Sequence, residues 1–215
     1  MLIVGAKGFA KEVLEVLHQL KQIENLVFFD DFNEDAPDLL YNQFPVLKAI
    51  EEVSEYFKTV DPSFTIGIGN PILRKKLADK FEFIGGIFSS TISPLANIGS
   101  YDIKIGSGTN ILPGVIISNS SKIGMGCIVY YNSIITHDCN IGDFVEISPS
   151  ATLLGRCSVG SFSQIGANVT ILPDIVIGKN VIIGAGAIVT KNLPDNCVAI
   201  GTPAKIIREL TPLDF

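Results

Sequence analysis

The sequence of 215 residues predicts a small α/β domain followed by a parallel β-helix. Three observations predict this fold class. Strands and helices alternate up to about residue 88, which is typical of a small, Rossmann-like parallel sheet. An aliphatic residue then stands at every sixth position from Ile105 to Val189, a period that neither an α-helix nor a flat strand has. A small or β-branched residue precedes each of these by two places, so every short strand turns two side chains inward.

The predicted first domain spans residues 1–88. Its predicted elements are, in order, the strand Leu2–Val4, a helix with apolar positions from Val13 to Leu20, the strand Leu26–Phe29, a helix at about Val46–Phe57, the strand Phe64–Ile68, a helix that begins at Pro71, and the strand Phe83–Phe88. Pro71 is a residue type favoured at the first position of a helix. Because strands and helices alternate, we expect the strands to be parallel.

The predicted second domain, residues 89–215, is the β-helix with a short C-terminal tail. Its six-residue register slips once near Tyr101 and then holds to Val189. We expect the turn-rich residues 192–203 to end the coil and residues 204–210 to form a short helix. Glycine follows the aliphatic position seven times, which places the predicted corners near Gly106, Gly124, Gly142, Gly160, Gly166, Gly178 and Gly184.

Composition and charge narrow the classes of function. The chain carries a net charge of −6 and no stripe of Lys and Arg, which argues against nucleic acid as a partner. No apolar run reaches 18 residues, so we expect no membrane span and no membrane partner. The chain begins with a strand-like segment rather than a signal sequence, and we therefore expect a cytoplasmic protein.

The four cysteines are expected to be structural. Cys127, Cys139 and Cys157 occupy inward positions of the predicted coil, where a thiol packs as a small hydrophobic group. Cys197 lies outside the repeat, and its role is left open.

Three segments of the first domain follow predicted strands, at the sheet edge where open parallel sheets bind ligands. Gly5-Ala6-Lys7-Gly8 joins the first strand to the first helix, where backbone N–H groups favour phosphate. Asp30 and Asp31 end the second strand, where a carboxylate can accept from a ribose or a base. Gly67-Ile68-Gly69-Asn70 ends the third strand, and Arg74 follows one turn later. We predict a ligand site here; the alternative is a set of tight turns and helix caps.

His137 is the candidate catalytic residue of the coil. The other histidine, His18, lies on the first helix and is interpreted as structural or solvated. His137 stands at an outward position beside Asp138, and an imidazole is the usual general base near neutral pH. Three six-residue sides make a turn of about 18 residues, which stacks Gly155 on His137 at about 4.8 Å. We expect Gly155 to leave room for a ligand and to offer its N–H to an oxyanion.

A second outward stack joins Ala167 and Ala185, which are 18 residues apart. Two alanines in line predict a shallow, smooth track that suits an extended apolar arm of a ligand.

The coil resembles the hexapeptide-repeat acyltransferases, which use acyl-coenzyme A and fold as left-handed parallel β-helices. With the first domain included, the whole chain is similar to the NeuD-type sugar acetyltransferases, which include sialic acid O-acetyltransferases and bacillosamine-pathway N-acetyltransferases. The left hand of the coil is taken from this resemblance. The segments that carry it are Gly5-Ala6-Lys7-Gly8, Phe29-Asp30-Asp31-Phe32, Ile68-Gly69-Asn70 with Arg74, Thr136-His137-Asp138-Cys139 with Ile141-Gly142, and Gly201-Thr202-Pro203-Ala204-Lys205.

The resemblance implies an enzyme that binds a nucleotide-linked sugar in the first domain and acetyl-coenzyme A along the coil. It also implies a homotrimer with active sites between neighbouring coils, and no metal. His137 would be the general base, helped by Asp138, and Gly155 N–H would bind the acetyl carbonyl. The residues implied in binding acetyl-coenzyme A are Gly155, Ala167, Ala185 and Lys205.

Two positions depart from the family pattern. Phe9 replaces a histidine that several relatives carry near the sugar, and Glu146 replaces a second histidine near the coil site. Both leave the identity of the sugar open. The residues implied in binding the nucleotide-linked sugar are Gly5, Ala6, Lys7, Gly8, Phe9, Asp30, Asp31, Gly69, Asn70 and Arg74.

The predicted function is direct acetyl transfer to an amine of a nucleotide-linked sugar, with a 4-amino sugar on a uridine carrier preferred. O-acetylation of sialic acid or another sugar is the alternative, and a non-catalytic β-helix assembly module is a further one. A carbonic-anhydrase-like coil is disfavoured because zinc would need three histidines. A dehydrogenase is disfavoured because the sheet has too few strands for two mononucleotide-binding halves. A pyrophosphorylase would need a glycine-rich nucleotidyl loop with basic residues.

Overall fold

The fold consists of two compact units, seen in a computed structural model that describes residues 1–33 and 36–214. The first unit is Met1–Pro94, and the second begins at Leu95. Among the described residues, no helix has the length and apolar character needed to cross a bilayer.

The first unit is a mostly parallel sheet with helices in its crossovers. The helices are α1 (Gly8–Gln19), α2 (Ile50–Thr59) and α3 (Pro71–Phe83). The strands are β1 (Leu2–Val4), β2 (Val27–Phe29), β3 (Leu39–Leu40), β4 (Phe44–Leu47), β5 (Ser63–Ile66), β6 (Ile87–Phe88) and β7 (Thr91–Ile92). The order across the sheet is β3-β4-β2-β1-β5-β6, and only the β3–β4 pair is antiparallel within it. The predicted α/β sheet is confirmed.

The segment predicted as a helix from about Val46 begins instead as a strand. Val46 is buried in β4 and pairs with Phe28 of β2, and α2 starts at Ile50. The Glu52 carboxylate accepts a hydrogen bond from the Ala49 N–H at 2.9 Å, which satisfies a donor at the start of the helix. Buried and exposed residues alternate through β4, which is the period of a strand rather than of a helix.

The predicted strand over residues 83–88 is also shorter in the structure. Helix α3 continues to Phe83, whose side chain is 92% exposed, and only Ile87–Phe88 form β6. The helix ends where Gly85 adopts φ +96°, a conformation that favours glycine.

Residues 97–189 form sixteen strands of two residues each. They are β8 (Asn97–Ile98), β9 (Lys104–Ile105), β10 (Asn110–Ile111), β11 (Ile116–Ile117), β12 (Lys122–Ile123), β13 (Ile128–Val129), β14 (Ile134–Ile135), β15 (Asn140–Ile141), β16 (Glu146–Ile147), β17 (Thr152–Leu153), β18 (Ser158–Val159), β19 (Gln164–Ile165), β20 (Thr170–Ile171), β21 (Val176–Ile177), β22 (Ile182–Ile183) and β23 (Ile188–Val189). Two longer strands follow, β24 (Cys197–Ile200) and β25 (Lys205–Glu209).

These strands stack into three flat faces. Face 1 is β9-β12-β15-β18-β21, face 2 contains β10-β13-β16-β19-β22-β24-β25, and face 3 is β8-β11-β14-β17-β20-β23. In face 3, Ile117 pairs in parallel with Ile135, and in face 1 Ile123 pairs with Ile141, both 18 residues further along the chain. One turn of the coil is therefore three hexads, and the predicted left-handed β-helix is confirmed.

Both inward positions of the hexad are filled as predicted. From Ile111 onward the aliphatic side chains of the repeat are buried, and so are the compact side chains two places before them. Cys127, Cys139 and Cys157 are among these buried residues, and all the cysteines of the chain are free thiols. Cys197, which the sequence left open, is buried in β24.

The corners lie two residues beyond the positions predicted from glycine. A left-handed backbone recurs every sixth residue there, for example at Asp138 (φ +60°), Phe144 (φ +56°) and Ser150 (φ +61°). The repeated glycines are explained by close packing instead, because the next turn of the same coil passes close to them. A Cβ built on Gly160 would lie 2.5 Å from the backbone of Gly178.

The predicted helix at residues 204–210 is wrong. Lys205–Glu209 form the strand β25, which pairs antiparallel with β24 across a turn that contains Gly201 at φ +94°. The Leu210 N–H donates to the Asn196 carbonyl at 2.7 Å and closes this hairpin. All five residues of β25 are exposed, so no buried stripe exists that would stabilise a helix.

Candidate functional site

A cleft of about 490 Å³ opens at the carboxyl ends of β1, β2 and β5. The predicted segments Gly5-Ala6-Lys7-Gly8, Asp30-Asp31 and Gly67-Ile68-Gly69 all line it. Its apolar wall is formed by Phe9, Phe29, Ile68, Leu73 and Leu77. The structure thus brings together the three strand ends that the sequence singled out.

Asp30 is buried and ties two loops of the cleft together. Its Oδ2 accepts a hydrogen bond from Ala6 N at 3.2 Å, and its Oδ1 accepts from Phe32 N at 3.3 Å and Asn33 N at 3.0 Å. The side-chain amide of Asn33 donates to both oxygens at 2.9 Å. Since these bonds occupy the carboxylate, Asp30 shapes the cleft, whereas Asp31 is the carboxylate that its mouth exposes.

Asp31 and Phe32 form the exposed rim of the cleft. The Asp31 Oδ2 lies 3.3 Å from Lys80 Nζ, which also lies 5.5 Å from the ring centroid of Phe29. The Phe32 side chain is 88% exposed and lines the cleft. An aromatic face can stack on a nucleotide base, and a carboxylate beside it can accept hydrogen bonds from the N–H groups of that base. Phe32 was not among the predicted site residues; an aromatic residue directly after two strand-end carboxylates was the available signal.

Asn70 and Arg74 are not among the residues that line the cleft, since Asn70 is exposed just before α3 and Arg74 is buried. The Asn70 Oδ1 accepts from Leu73 N at 3.0 Å and caps α3. Arg74 is 1% exposed, and its guanidinium donates to the carbonyl of Gly69. Both residues therefore fix the loop that presents Gly69 to the cleft.

His137 lies at an outward corner of the coil, directly after β14. Its side chain is 56% exposed, and its Nδ1 lies 2.7 Å from Asp138 Oδ2. Asp138 has a left-handed backbone, which the short Asp side chain tolerates well. The contact favours the imidazole tautomer with its proton on Nδ1, which leaves Nε2 as the basic nitrogen.

Gly155 stacks on the imidazole, as the 18-residue spacing predicted. A Cβ built on Gly155 would lie 2.6 Å from both Cε1 and Nε2 of His137. Within residues 1–33 and 36–214, the Gly155 N–H donates to no acceptor of the chain. This donor beside Nε2 is suited to an oxyanion.

Ala167 and Ala185 lie at a different corner from His137. They follow β19 and β22 of face 2, whereas His137 follows β14 of face 3. Glu146 is also on face 2, in β16, and Lys205 is exposed on β25. A single coil therefore does not bring the predicted acetyl-coenzyme A track to the imidazole.

Two thiols lie behind the His137 corner. The Sγ atoms of Cys139 and Cys157 are 3.5 Å apart inside the coil, with Cys157 donating. This hydrogen bond and burial raise the pKa of Cys157. Within the described part of the chain, no three His, Cys, Asp or Glu side chains are grouped to hold a metal ion.

Sequence reasoning missed a salt bridge beside His137. Arg156 Nε and Nη2 donate to the two oxygens of Asp174 at 2.6 and 2.8 Å. The Arg156 guanidinium lowers the pKa of the Asp174 carboxyl, and the carboxylate raises the pKa of Arg156. The spacing of 18 residues between them was the available signal, because it equals one turn of the coil.

Two known families match parts of the sequence. The family described as PglD N-terminal domain matches residues 1–81, and the bacterial transferase hexapeptide family, described as six repeats, matches residues 156–191. Comparison with curated proteins gave no match.

Several solved structures are similar over nearly the whole chain. A variant of perosamine N-acetyltransferase from Caulobacter crescentus, in complex with CoA and GDP-perosamine, is 29% identical with a TM-score of 0.89, covering 97% of this chain and 96% of that one. WeeI from Acinetobacter baumannii AYE is 31% identical with a TM-score of 0.86, covering 96% and 98%. The acetyltransferase domain of PglB from Neisseria gonorrhoeae FA1090, in complex with acetyl coenzyme A, is 28% identical with a TM-score of 0.84, covering 96% and 98%.

Proposed function

Because this chain belongs to the NeuD- and PglD-type sugar acetyltransferases, we propose that it transfers an acetyl group from acetyl-coenzyme A to an amine of a nucleotide-linked amino sugar. The observation that carries the proposal is the His137–Asp138 pair, with its imidazole stacked on Gly155. An amine that attacks a thioester needs two groups in the site: a basic nitrogen to take its proton and a hydrogen-bond donor to stabilise the oxyanion.

The transfer is proposed to be direct. The amine nitrogen attacks the thioester carbonyl carbon, so a C–N bond forms and the C–S bond of acetyl-coenzyme A breaks. His137 Nε2 takes the proton that the amine loses and passes it to the departing sulfur. Asp138 balances the charge of the imidazolium, and the Gly155 N–H donates to the carbonyl oxygen as it gains negative charge.

We assign the nucleotide to the cleft of the first unit. Gly8 lines the cleft at the start of α1, and the N-terminus of a helix favours a phosphate. Asp31 and Phe32 at the rim are suited to the base. The sequence analysis favours a uridine carrier, whereas the similar C. crescentus enzyme is in complex with GDP-perosamine. A panel of bases therefore belongs in the test.

We further propose that the active enzyme is a homotrimer. Apart from Asn97 in β8, the outward residues of face 3 are β-branched, whereas most of those of face 1 are polar or charged. The outward residues of face 3 are Asn97, Ile116, Ile134, Thr152, Thr170 and Ile188, and those of face 1 are Lys104, Lys122, Asn140, Ser158 and Val176. This contrast supports face 3 as the surface that meets a second coil.

A second coil would also complete the site. The track of Ala167 and Ala185 lies on a different corner from His137. In a complete site, one chain would therefore supply His137 and a neighbouring chain would supply the alanine track. We place the reaction in the cytoplasm, where acetyl-coenzyme A and nucleotide sugars are available.

The test combines acetyl-coenzyme A with GDP-, UDP- and dTDP-linked 4-amino sugars. We expect thiol release only when an amino sugar is present, and a product that carries one acetyl group by mass spectrometry. An acetyl group that hydroxylamine removes would assign the acceptor as a hydroxyl instead. No thiol release with any sugar would favour the non-catalytic assembly module.

Replacing His137 by alanine provides the site-specific test. His137→Ala should lower kcat by about 10²–10⁴-fold, the usual contribution of a general base, while the melting temperature stays unchanged. His18→Ala is the matched control, because this second histidine is exposed on α1. A His137→Ala enzyme that keeps most of its turnover removes this residue from the reaction.

A further inference from the structure

Three charged side chains occupy one corner of the coil on consecutive turns. Asp138, Arg156 and Asp174 follow β14, β17 and β20 of face 3, each by three residues. All three have the same left-handed backbone, with φ between +60° and +63°. Identical backbone geometry on adjacent turns spaces neighbouring side chains by about 4.8 Å. Arg156 therefore lies one turn from each of two carboxylates.

The two carboxylates have different partners. Arg156 donates two hydrogen bonds to Asp174, whereas the Asp138 Oδ2 is bound to His137 Nδ1 at 2.7 Å. A guanidinium binds a carboxylate through two parallel N–H groups, and an imidazole binds it through one. An unengaged Arg156 would compete with His137 for Asp138.

We propose that Asp174 is a positioning residue, which holds Arg156 away from Asp138 and so keeps the Asp138 carboxylate on His137. This inference rests on the proposed function, in which the His137–Asp138 pair is the base. Without Asp174, the guanidinium has Asp138 as its nearest carboxylate along the corner. The imidazole would then lose the acceptor that fixes its tautomer and orientation, although no contact between Asp174 and the reacting groups is broken.

The kinetic test uses a pair of substitutions. Asp174→Asn should lower kcat about tenfold, part of the contribution of a positioned base, and change the KM values of both substrates by less than about twofold. Arg156→Ala alone should leave kcat within about twofold, because no competitor for Asp138 remains. Adding Arg156→Ala to Asp174→Asn should restore kcat, which no loss of a purely structural contact would do.

The control substitution is Asp143→Asn. Asp143 is also an exposed carboxylate of the coil, and its Oδ1 accepts from Met125 N at 2.9 Å at another corner. We expect kcat to be unchanged in this variant. An Asp174→Asn enzyme with wild-type kcat overturns the proposal. So does a double variant that is as slow as Asp174→Asn.

A readout independent of turnover separates this proposal from the proposed function. The chain has two histidines, so the imidazole signals of ¹⁵N-histidine-labelled protein are simple to assign with His18→Ala. The His137 Nδ1 signal should shift in Asp174→Asn and return in the double variant. If the wild-type enzyme transferred no acetyl group while this shift and its reversal were seen, the acetyl-transfer proposal would fail and the positioning role would stand.

Discussion

Replacing Gly155 with alanine should displace the His137 imidazole and slow acetyl transfer without unfolding the coil. Gly155 does not have a left-handed backbone, so alanine can adopt its conformation without strain. The substitution therefore acts through the added methyl group alone.

The magnitude follows from the stacking distance. The new Cβ would lie 2.6 Å from Cε1 and Nε2 of His137, whereas carbon contacts are ordinarily about 3.5–4.0 Å. The ring has to retreat by about 1 Å. A displacement of this size at a reacting group can cost about 10²-fold in rate, which corresponds to about 2.7 kcal/mol in the activation barrier. We expect kcat to fall by that factor.

Steady-state thiol release and thermal melting would be measured on the same preparation. Gly142→Ala is the matched control, because its Cβ would lie 2.6 Å from Ser161 N, a comparable clash next to β15 of face 1. This control should lower the melting temperature and leave kcat of the folded enzyme unchanged. A Gly155→Ala enzyme with kcat within about threefold of the wild type would refute the stacking argument. An equal loss of kcat in Gly142→Ala would refute it as well.

Two further substitutions test the first unit. Asp30→Ala should cost about 1–3 kcal/mol of stability, because it leaves the backbone N–H donors of Ala6 and Asn33 unpaired. It should also abolish nucleotide binding in calorimetric titrations. Unchanged nucleotide affinity would contradict the assigned role of Asp30. Burial, and then the charge of Asp61, raise the pKa of Tyr56 to about 12. Since the unfolded chain releases this proton near pH 10 and the folded chain near 12, stability should fall as the pH rises between these values, and less so in Tyr56→Phe. If the free energy of unfolding fell equally with pH in the wild type and in Tyr56→Phe, as measured by denaturation, this explanation would be excluded.

The coil could be predicted closely because its packing is local and periodic. Every inward position of one hexad meets the same position 18 residues away, as in the pairing of Ile117 with Ile135. This one rule predicts the strands, the burial of Cys127, Cys139 and Cys157, and the stacking of Gly155 on His137. The same rule places Arg156 one turn from Asp174, at the spacing that also stacks Gly155 on His137.

The two segments that were predicted as helix and form strands lie where no repeat constrains the chain. Lys205–Glu209 are all exposed, so their conformation depends on pairing with β24 rather than on a buried pattern. Val46 lies in a short strand whose partner, Phe28, is distant in sequence. Asp30 lines the cleft, and its hydrogen bonds with Ala6 N and Asn33 N are contacts that the sequence alone does not reveal.

The direction in which side chains point also argues for a single transfer step. Cys139 is two residues from His137, yet its thiol is buried inside the coil, while the imidazole is exposed on the outside. Cys157 stands in the same relation to Gly155, and its thiol is buried as well. A thioester that approached Gly155 from outside would meet the imidazole and neither thiol. The wall of the coil separates both thiols from the outer side that carries His137, which supports the proposed direct attack of the amine on acetyl-coenzyme A over an acetyl-cysteine intermediate.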